Sequence, residues 1–265
     1  MIYLKYLSEG YRSIVYLHNN YIILEGKNKE SYNTYRNDLI ILNKISKYIN
    51  NIKIPSEVKL IKRNLNYPYG GLKYKLIEGN VFNYLNKDKY NLSNIGLKLS
   101  SFLNELHSIP INYNKEEIVK EEQELIEKNI KLLVNYLDSN YLEKINKFKK
   151  EYYSYLETYH DYSLIHGDLW YENYIFSNDL ELVGVIDFEK SCIFMREYDF
   201  VPLLYIENNL LEKTIKHYKY DLNLRLINLL FIRRELVSFE YILNYEKEDT
   251  SEQIEKIIDK IDRYL

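Results

Sequence analysis

His166-Gly167-Asp168-Leu169-Trp170-Tyr171-Glu172-Asn173 and, fourteen residues after its last member, Asp187 in Val183-Gly184-Val185-Ile186-Asp187-Phe188-Glu189 are the stretches on which the reading of this 265-residue chain turns. Leu164-Ile165 lead into the first and the apolar run Leu182 to Ile186 into the second, so each acidic cluster is expected where a short strand meets a loop. Asp and Asn at strand ends are ordinary turn residues, and one such turn alone would carry no chemistry. Two at this spacing, with H-G-D-x-x-x-x-N complete and an apolar strand feeding Asp187, point to a site.

The residue types suit magnesium-dependent phosphoryl transfer. That reaction needs an acidic group beside the acceptor hydroxyl and oxygen ligands for Mg2+ on the triphosphate; positioning and electrostatics do the rest. Asp168 would accept the hydroxyl proton or orient the hydroxyl, the amide oxygen of Asn173 would bind one Mg2+, and the Asp187 carboxylate would bind and bridge the metals. His166 has no histidine at i+4 and His160 lies six positions before it, so its ring is read as a brace for the loop through backbone hydrogen bonds. Trp170, the one tryptophan, is read as packing.

Outward from this centre, Tyr3 to Leu24 reads as strands broken at Ser8-Glu9-Gly10 and Asn19-Asn20, a hairpin pattern. Tyr35, Leu39, Leu42 and Ile45 recur at helical spacing between Ser31 and Lys47, and β-like stretches follow at Val58 to Ile61 and Leu72 to Ile77 around the turn Pro68-Tyr69-Gly70-Gly71. After Glu78-Gly79-Asn80 helices dominate. Their stripes run Leu92 to Leu106, Ile118 to Leu137 and Leu142 to Tyr152, then Leu203 to Leu211, Leu222 to Leu243 and Ser251 to Leu265 beyond the acidic clusters. The expected class is α+β: a small antiparallel β-sheet N-lobe at 1–77 for nucleotide, and a larger, mainly helical C-lobe at 78–265 for catalysis and substrate, with the cleft between them as the ligand site.

With 46% hydrophobic residues the chain can bury a sizeable core, and a net charge of −3 with no basic tract argues against nucleic-acid or anionic-membrane partners. Cys192 is the sole cysteine, which excludes an intrachain disulfide or a cysteine-based zinc site; it is expected to be a small buried residue. No leader pattern or long uninterrupted apolar segment is seen, so a cytoplasmic location is expected, without an obligatory protein partner. Alanine is absent while Tyr (30 residues), Ile, Asn, Lys and Leu abound, as an AT-rich gene would give, so single tyrosines carry little functional weight.

The motifs resemble those of the aminoglycoside phosphotransferase and choline kinase superfamily of small-molecule kinases, whose signature is an H-G-D-x-x-x-x-N loop and an I-D metal motif. The resemblance spans almost the whole chain and implies a bilobal, protein-kinase-like fold. Phe102-Leu103-Asn104-Glu105-Leu106-His107-Ser108-Ile109, the Leu164 to Phe176 segment and Ser238-Phe239-Glu240 are similar to the aminoglycoside 2''-phosphotransferase branch. It implies Asp168 as catalytic base, Asn173 and Asp187 as Mg2+ ligands, the backbone of Lys75 and Ile77 as the hinge for the purine of ATP or GTP, and Tyr74 beside the base. Asp199 in Arg196-Glu197-Tyr198-Asp199-Phe200 matches a structural aspartate of the family. The loop here has H-G-D rather than H-R-D, the metal motif is D-F-E rather than D-F-G, and no A-P-E follows, which favours a small-molecule acceptor over a protein.

The N-terminal part departs from the pattern. Of the glycine-rich loop only Gly10 remains, with Ser8 in place of a second glycine and Ser13 as a hydrogen-bond donor. Leu24 stands where a nucleotide-binding lysine is expected, Asp38 where its glutamate partner is expected, and Lys27 is the nearest replacement cation. For a polycationic aminoglycoside the acceptor pocket needs carboxylates, and Glu235 and Glu240 are the candidates, with Glu207, Glu246, Glu248 and Asp249 nearby in sequence. A ketosamine kinase, a choline-type kinase and a degenerate nucleotide-binding protein are the alternatives. The first is suggested by His166 to Trp170 and Arg196 to Phe200, the second by Asp187-Phe188-Glu189, and the third by Leu24 and the sparse glycines.

Overall fold

The computed structural model describes residues 4–82, 89–206, 208–245 and 250–265. Contacts divide the chain into two compact units: Met1–Ile109 with Leu164–Cys192 and Pro202–Tyr220, and Pro110–Ser163 with Ile193–Val201 and Asp221–Leu265.

The first unit opens with β1 (Lys5–Glu9), β2 (Ser13–His18) and β3 (Tyr21–Gly26), then α1 (Ser31–Ile45), β4 (Lys59–Ile61) and β5 (Gly71–Lys75). The strands form one antiparallel sheet in the order β1-β2-β3-β5-β4. Asn19, at φ 53°, supplies the left-handed residue that the tight turn between β2 and β3 requires. Register then aligns Val15 with Leu24 and Leu24 with Leu72, and Leu17 with Ile22 and Ile22 with Tyr74. Because strand side chains alternate, these fall on one face, where they pack with Tyr35 and Leu39 of α1. The Asn28 side chain starts α1 by accepting from the Glu30 and Ser31 amides.

The second half of this unit carries the acidic clusters. β6 (Asn80–Val81), β8 (Tyr174–Phe176) and β9 (Leu182–Val185) make a three-stranded sheet, while β7 (Tyr162–Ile165) pairs with β10 (Cys192–Met195). α2 (Leu92–His107), capped by Asn91, buries Ile95, Leu99, Phe102, Leu103 and Leu106. Between α1 and β4, the Lys53 amide donates to the Val183 carbonyl and the Val185 amide to the Lys53 carbonyl, both at 2.9 Å, adding a one-residue parallel bridge beside Gly184. Two short helices follow, α5 (Leu203–Ile206) and α6 (Asn208–Ile215), where the sequence predicts one. α6 crosses α2 so closely that a Cβ on Gly96 would lie 2.8 Å from that of Lys213.

The second unit is helical. α3 (Lys115–Leu133), α4 (Ser139–Thr158), α7 (Leu224–Tyr245) and α8 (Thr250–Tyr264) bury Ile126, Leu133, Ile145, Phe148, Tyr152, Leu156 and much of α7. Arg233 grips the buried Glu122 with two hydrogen bonds, at 2.8 and 2.7 Å, and Tyr152 donates to the same carboxylate at 2.9 Å. A paired and hydrogen-bonded charge is tolerable in a core where a lone one is not. Among the described residues, no helix is long and apolar enough to cross a membrane. Cys192 is exposed at the first position of β10, not buried as expected: that strand is short and its leading residue faces outward.

Candidate active site

The hairpin of β8 and β9 explains the fourteen-residue spacing. Tyr174 pairs with Val185 and Ile175 with Gly184, so the residues just before β8 and just after β9 meet: the Ile186 amide donates to the Asn173 carbonyl at 3.0 Å. Asn173 is buried, and its Nδ2 donates to the Asp168 backbone carbonyl at 2.8 Å. That bond assigns the amide, because a carbonyl only accepts, and it leaves Oδ1 available to a ligand.

His166 does what the sequence reading expects. Fully buried, it accepts the Asp168 amide at Nδ1 (3.3 Å), which puts its proton on Nε2, 3.1 Å from the Ile186 carbonyl it donates to. One ring therefore joins the backbone before Asp168 to that before Asp187. Gly167 has φ 79°, and a Cβ there would lie 2.3 Å from the Lys190 carbonyl oxygen, so only glycine fits. Trp170 packs against Tyr205, ring centroids 4.7 Å apart.

The Asp168 carboxylate is mostly covered and accepts from Lys190 Nζ at 3.1 Å. Asp187 sits at φ 67°, a costly backbone conformation for a residue with a side chain. It opens onto a cavity yet is walled in by protein, and this loss of solvent, with the Glu189 and Asp168 carboxylates, raises its pKa to about 6. The Glu189 amide and Lys190 act the other way.

The cavity, about 710 Å³, lies within the first unit. Its walls include Ser8 of β1, Gly10 of the turn after it and Ser13 of β2, Tyr74 and Ile77 from β5 and the segment after it, and Asn173 and Asp187. Ser13 Oγ is 2.7 Å from the Tyr35 hydroxyl, and burial raises the Tyr74 phenol above its ordinary pKa. Leu24 lines the cavity as expected. Asp168 is not among the lining residues, but its carboxylate acts on that of Asp187.

Four expected site residues lie elsewhere. Lys27 is outside the lining: its ammonium is 2.5 Å from Glu9 Oε1 and 3.0 Å from the Gly10 carbonyl, so it ties down the turn. The Lys75 side chain is also outside, paired with Glu57 at 2.8 Å, and its amide is engaged by the Ser56 carbonyl. Glu235 and Glu240 belong to α7 in the second unit. Burial raises the Glu235 pKa, and Glu240 accepts from Lys128 at 2.6 Å. Asp199 is fully buried in the 3-10 turn Arg196–Phe200. Glu207, Glu246, Glu248 and Asp249 lie outside the described residues.

Sequence reasoning missed Arg12. It lines the cavity from the β1–β2 turn, with Nη1 3.2 Å from Glu189 Oε1. Its flanking Gly10 and Ser13 were legible as a phosphate-loop remnant, but an arginine between them looks like any solvated turn residue. Asp38 also faces the cavity, its pKa raised to about 7 by burial and by Glu189 and Asp187, with Arg12 opposing.

A family model described as the phosphotransferase enzyme family matches residues 74–223, more than half of the chain. The chain belongs to that family. Its fold is the family's kinase-like one, a small antiparallel sheet lobe and a mostly helical lobe. The GDP and kanamycin complex of APH(2'')-IIia is similar over 99% of this chain and 94% of that one, with a TM-score of 0.85 and 20% identity. ADP-bound aminoglycoside phosphotransferase APH(2'')-Ib is similar over 98% and 92%, with a TM-score of 0.73 and 22% identity. Choline kinase LicA from Streptococcus pneumoniae is similar over 99% and 94%, with a TM-score of 0.65 and 17% identity. No curated protein sequence matches the chain.

Proposed function

We propose that this phosphotransferase moves the γ-phosphoryl group of ATP or GTP to a hydroxyl of an aminoglycoside or similar amine-bearing sugar. The observation that carries the reading is the β8–β9 hairpin, which gathers Asp168, the uncommitted Oδ1 of Asn173 and the Asp187 carboxylate at one end of a cavity large enough for a nucleotide. Similar proteins solved with GDP and kanamycin, or with gentamicin, support the substrate class.

The donor set fits magnesium: hard oxygens from Asn173 and Asp187, in a place where crowded carboxylates hold the Asp187 pKa up and a cation would relieve them. Bound there, magnesium would neutralise phosphate charge and orient the triphosphate. The purine lies against Tyr74 with Ile77 and Lys75 as its backbone hinge, and Ser8, Gly10 and Ser13 face the phosphates. As the acceptor oxygen attacks the γ-phosphorus, Asp168 takes the hydroxyl proton and the bond to the bridging oxygen breaks, so the nucleoside diphosphate leaves with that electron pair. Lys190 holds one oxygen of Asp168 and so orients the other. Glu235 and Glu240 would pair the acceptor's ammonium groups. In this reading 1–77 bind nucleotide, 78–265 carry catalysis and acceptor binding, and the enzyme works in the cytoplasm, where such donors are kept. An amino-alcohol acceptor is the second reading, favoured by the similarity to a choline kinase.

The test is a panel of aminoglycosides, ketosamines and amino-alcohols with Mg·ATP and with Mg·GTP, the products identified by mass. At least one amine-bearing sugar should be phosphorylated. No acceptor-stimulated turnover with either nucleotide would overturn the enzyme reading in favour of a nucleotide-binding relative without activity.

A further inference from the structure

The acidic and basic side chains that line the cavity are Glu9, Asp38, Glu172, Asp187 and Glu189 on one side of the charge balance and Arg12 alone on the other, among the described residues. A triphosphate is a polyanion, and carboxylates alone repel it. Metal ions offset part of this, but the cavity's own positive charge comes from a single residue.

Arg12 is built into place. Its carbonyl accepts from the Lys27 amide at 2.9 Å and from Ser31 Oγ at 3.0 Å, and the turn around it is closed by the Gly10 amide donating to the Ser13 carbonyl at 2.9 Å. The backbone is thus pinned to β3 and to the start of α1, and Lys27 on Glu9 and Gly10 braces the same turn. The side chain is 32% exposed, with Nη1 on Glu189, while Nε is buried without a hydrogen-bond partner. Asp38, 6% exposed, faces the same cavity and has Oδ1 buried without a partner. Two buried polar atoms of opposite character, both costly to leave unsatisfied, thus belong to residues that line the cavity.

We infer that Arg12 is the phosphate-binding cation of this cavity: on nucleotide entry its guanidinium exchanges Glu189 for the triphosphate. The planar fork of an arginine suits phosphate oxygens, and Nε is a donor that Glu189 leaves unused. Glu189 is the stand-in that keeps the guanidinium over the metal-binding end of the cavity until a phosphate replaces it. Arg12 so supplies from the β1–β2 turn the charge that Leu24 on β3 lacks, and Lys27 is a positioning residue for that turn. The inference rests on the cavity being the nucleotide site.

Equilibrium binding of Mg·ATP and of adenosine to the intact protein tests it, with folding followed by thermal unfolding. Arg12→Ala should weaken Mg·ATP at least tenfold and leave adenosine within about twofold; Arg12→Lys should recover most of the loss, and Arg36→Ala, on the exposed side of α1, should match wild type. Should Arg12→Ala unfold, Arg12→Gln takes its place, with the same tenfold loss expected. Mg·ATP bound within about twofold of wild type by either neutral variant overturns the inference and leaves the nucleotide site standing. Wild-type protein that binds neither ligand overturns the nucleotide reading and the inference together.

Discussion

Set beside each other, the two ends of the cavity are held by different forces. At the catalytic end His166 and Asn173 are buried and tied to backbone, Leu169 is fully enclosed, and the Tyr174 hydroxyl donates to the Leu169 carbonyl at 2.8 Å. At the β1–β2 end every residue of β1 is exposed, and although hydrogen bonds close the turn's backbone, its charged side chains are held by partly exposed ion pairs, Lys27 with Glu9 and Arg12 with Glu189. Buried hydrogen bonds to backbone fix a side chain whatever the salt; exposed ion pairs are weak, about 0–1 kcal/mol, and screened. The difference teaches that, under the proposed function, the chain would keep the reacting groups rigid and leave its hold on phosphate adjustable.

The largest effect that would break the comparison is at the rigid end. Asp168→Asn should lower kcat by about 10² to 10⁴-fold while Mg·ATP still binds; turnover within about tenfold of wild type would remove Asp168 from the chemistry. Next comes Asp38. Its folded pKa, about 7, lies above the ordinary 3.8, so the fold disfavours its ionised form. Stability is therefore highest when Asp38 is protonated, declines as pH rises toward 7, and carries the full penalty above it. Asp187, raised to about 6, adds the same sign at lower pH. Metal-free protein should melt progressively lower from about pH 5 to pH 7 and level off by pH 8, and Asp38→Asn should flatten the upper part of that slope and stabilise the pH 8 protein by about 1–3 kcal/mol; identical slopes would show that Asp38 is not the group titrating. The smallest effect is at Lys27. Lys27→Ala should cost under about 1 kcal/mol in stability and leave adenosine binding unchanged, with only a few-fold loss for Mg·ATP through a looser turn. A loss as large as that of Arg12→Ala would make Lys27 itself the phosphate ligand.

The same contrast governs what could be read from the sequence. The catalytic hairpin was legible because its polar residues stand at fixed offsets from apolar runs, and Leu182 to Ile186 could be little else than a buried strand. The helices were legible from their stripes, as in α2 and α4. β6, β8 and β10, at two to four residues, are too short to show alternation and exist because partners pair with them. Arg12 escaped because its importance lies in contacts with Lys27, Ser31 and Glu189, up to 177 positions away, and no local pattern encodes those. Lys27 was chosen by proximity along the chain, and the end of β3 carries it to the Glu9 side instead.

The bridge at Lys53 has a consequence for control. Its two backbone hydrogen bonds fasten the segment between α1 and β4 to β9, the strand that leads to Asp187. Backbone movement of that segment therefore has a direct path to the turn at Asp187, a peptide-to-peptide link that side-chain substitution leaves in place. A ligand that shifted the Asp187 turn would thus bear on the placement of α1, and any factor so imposed would be returned in the opposite direction.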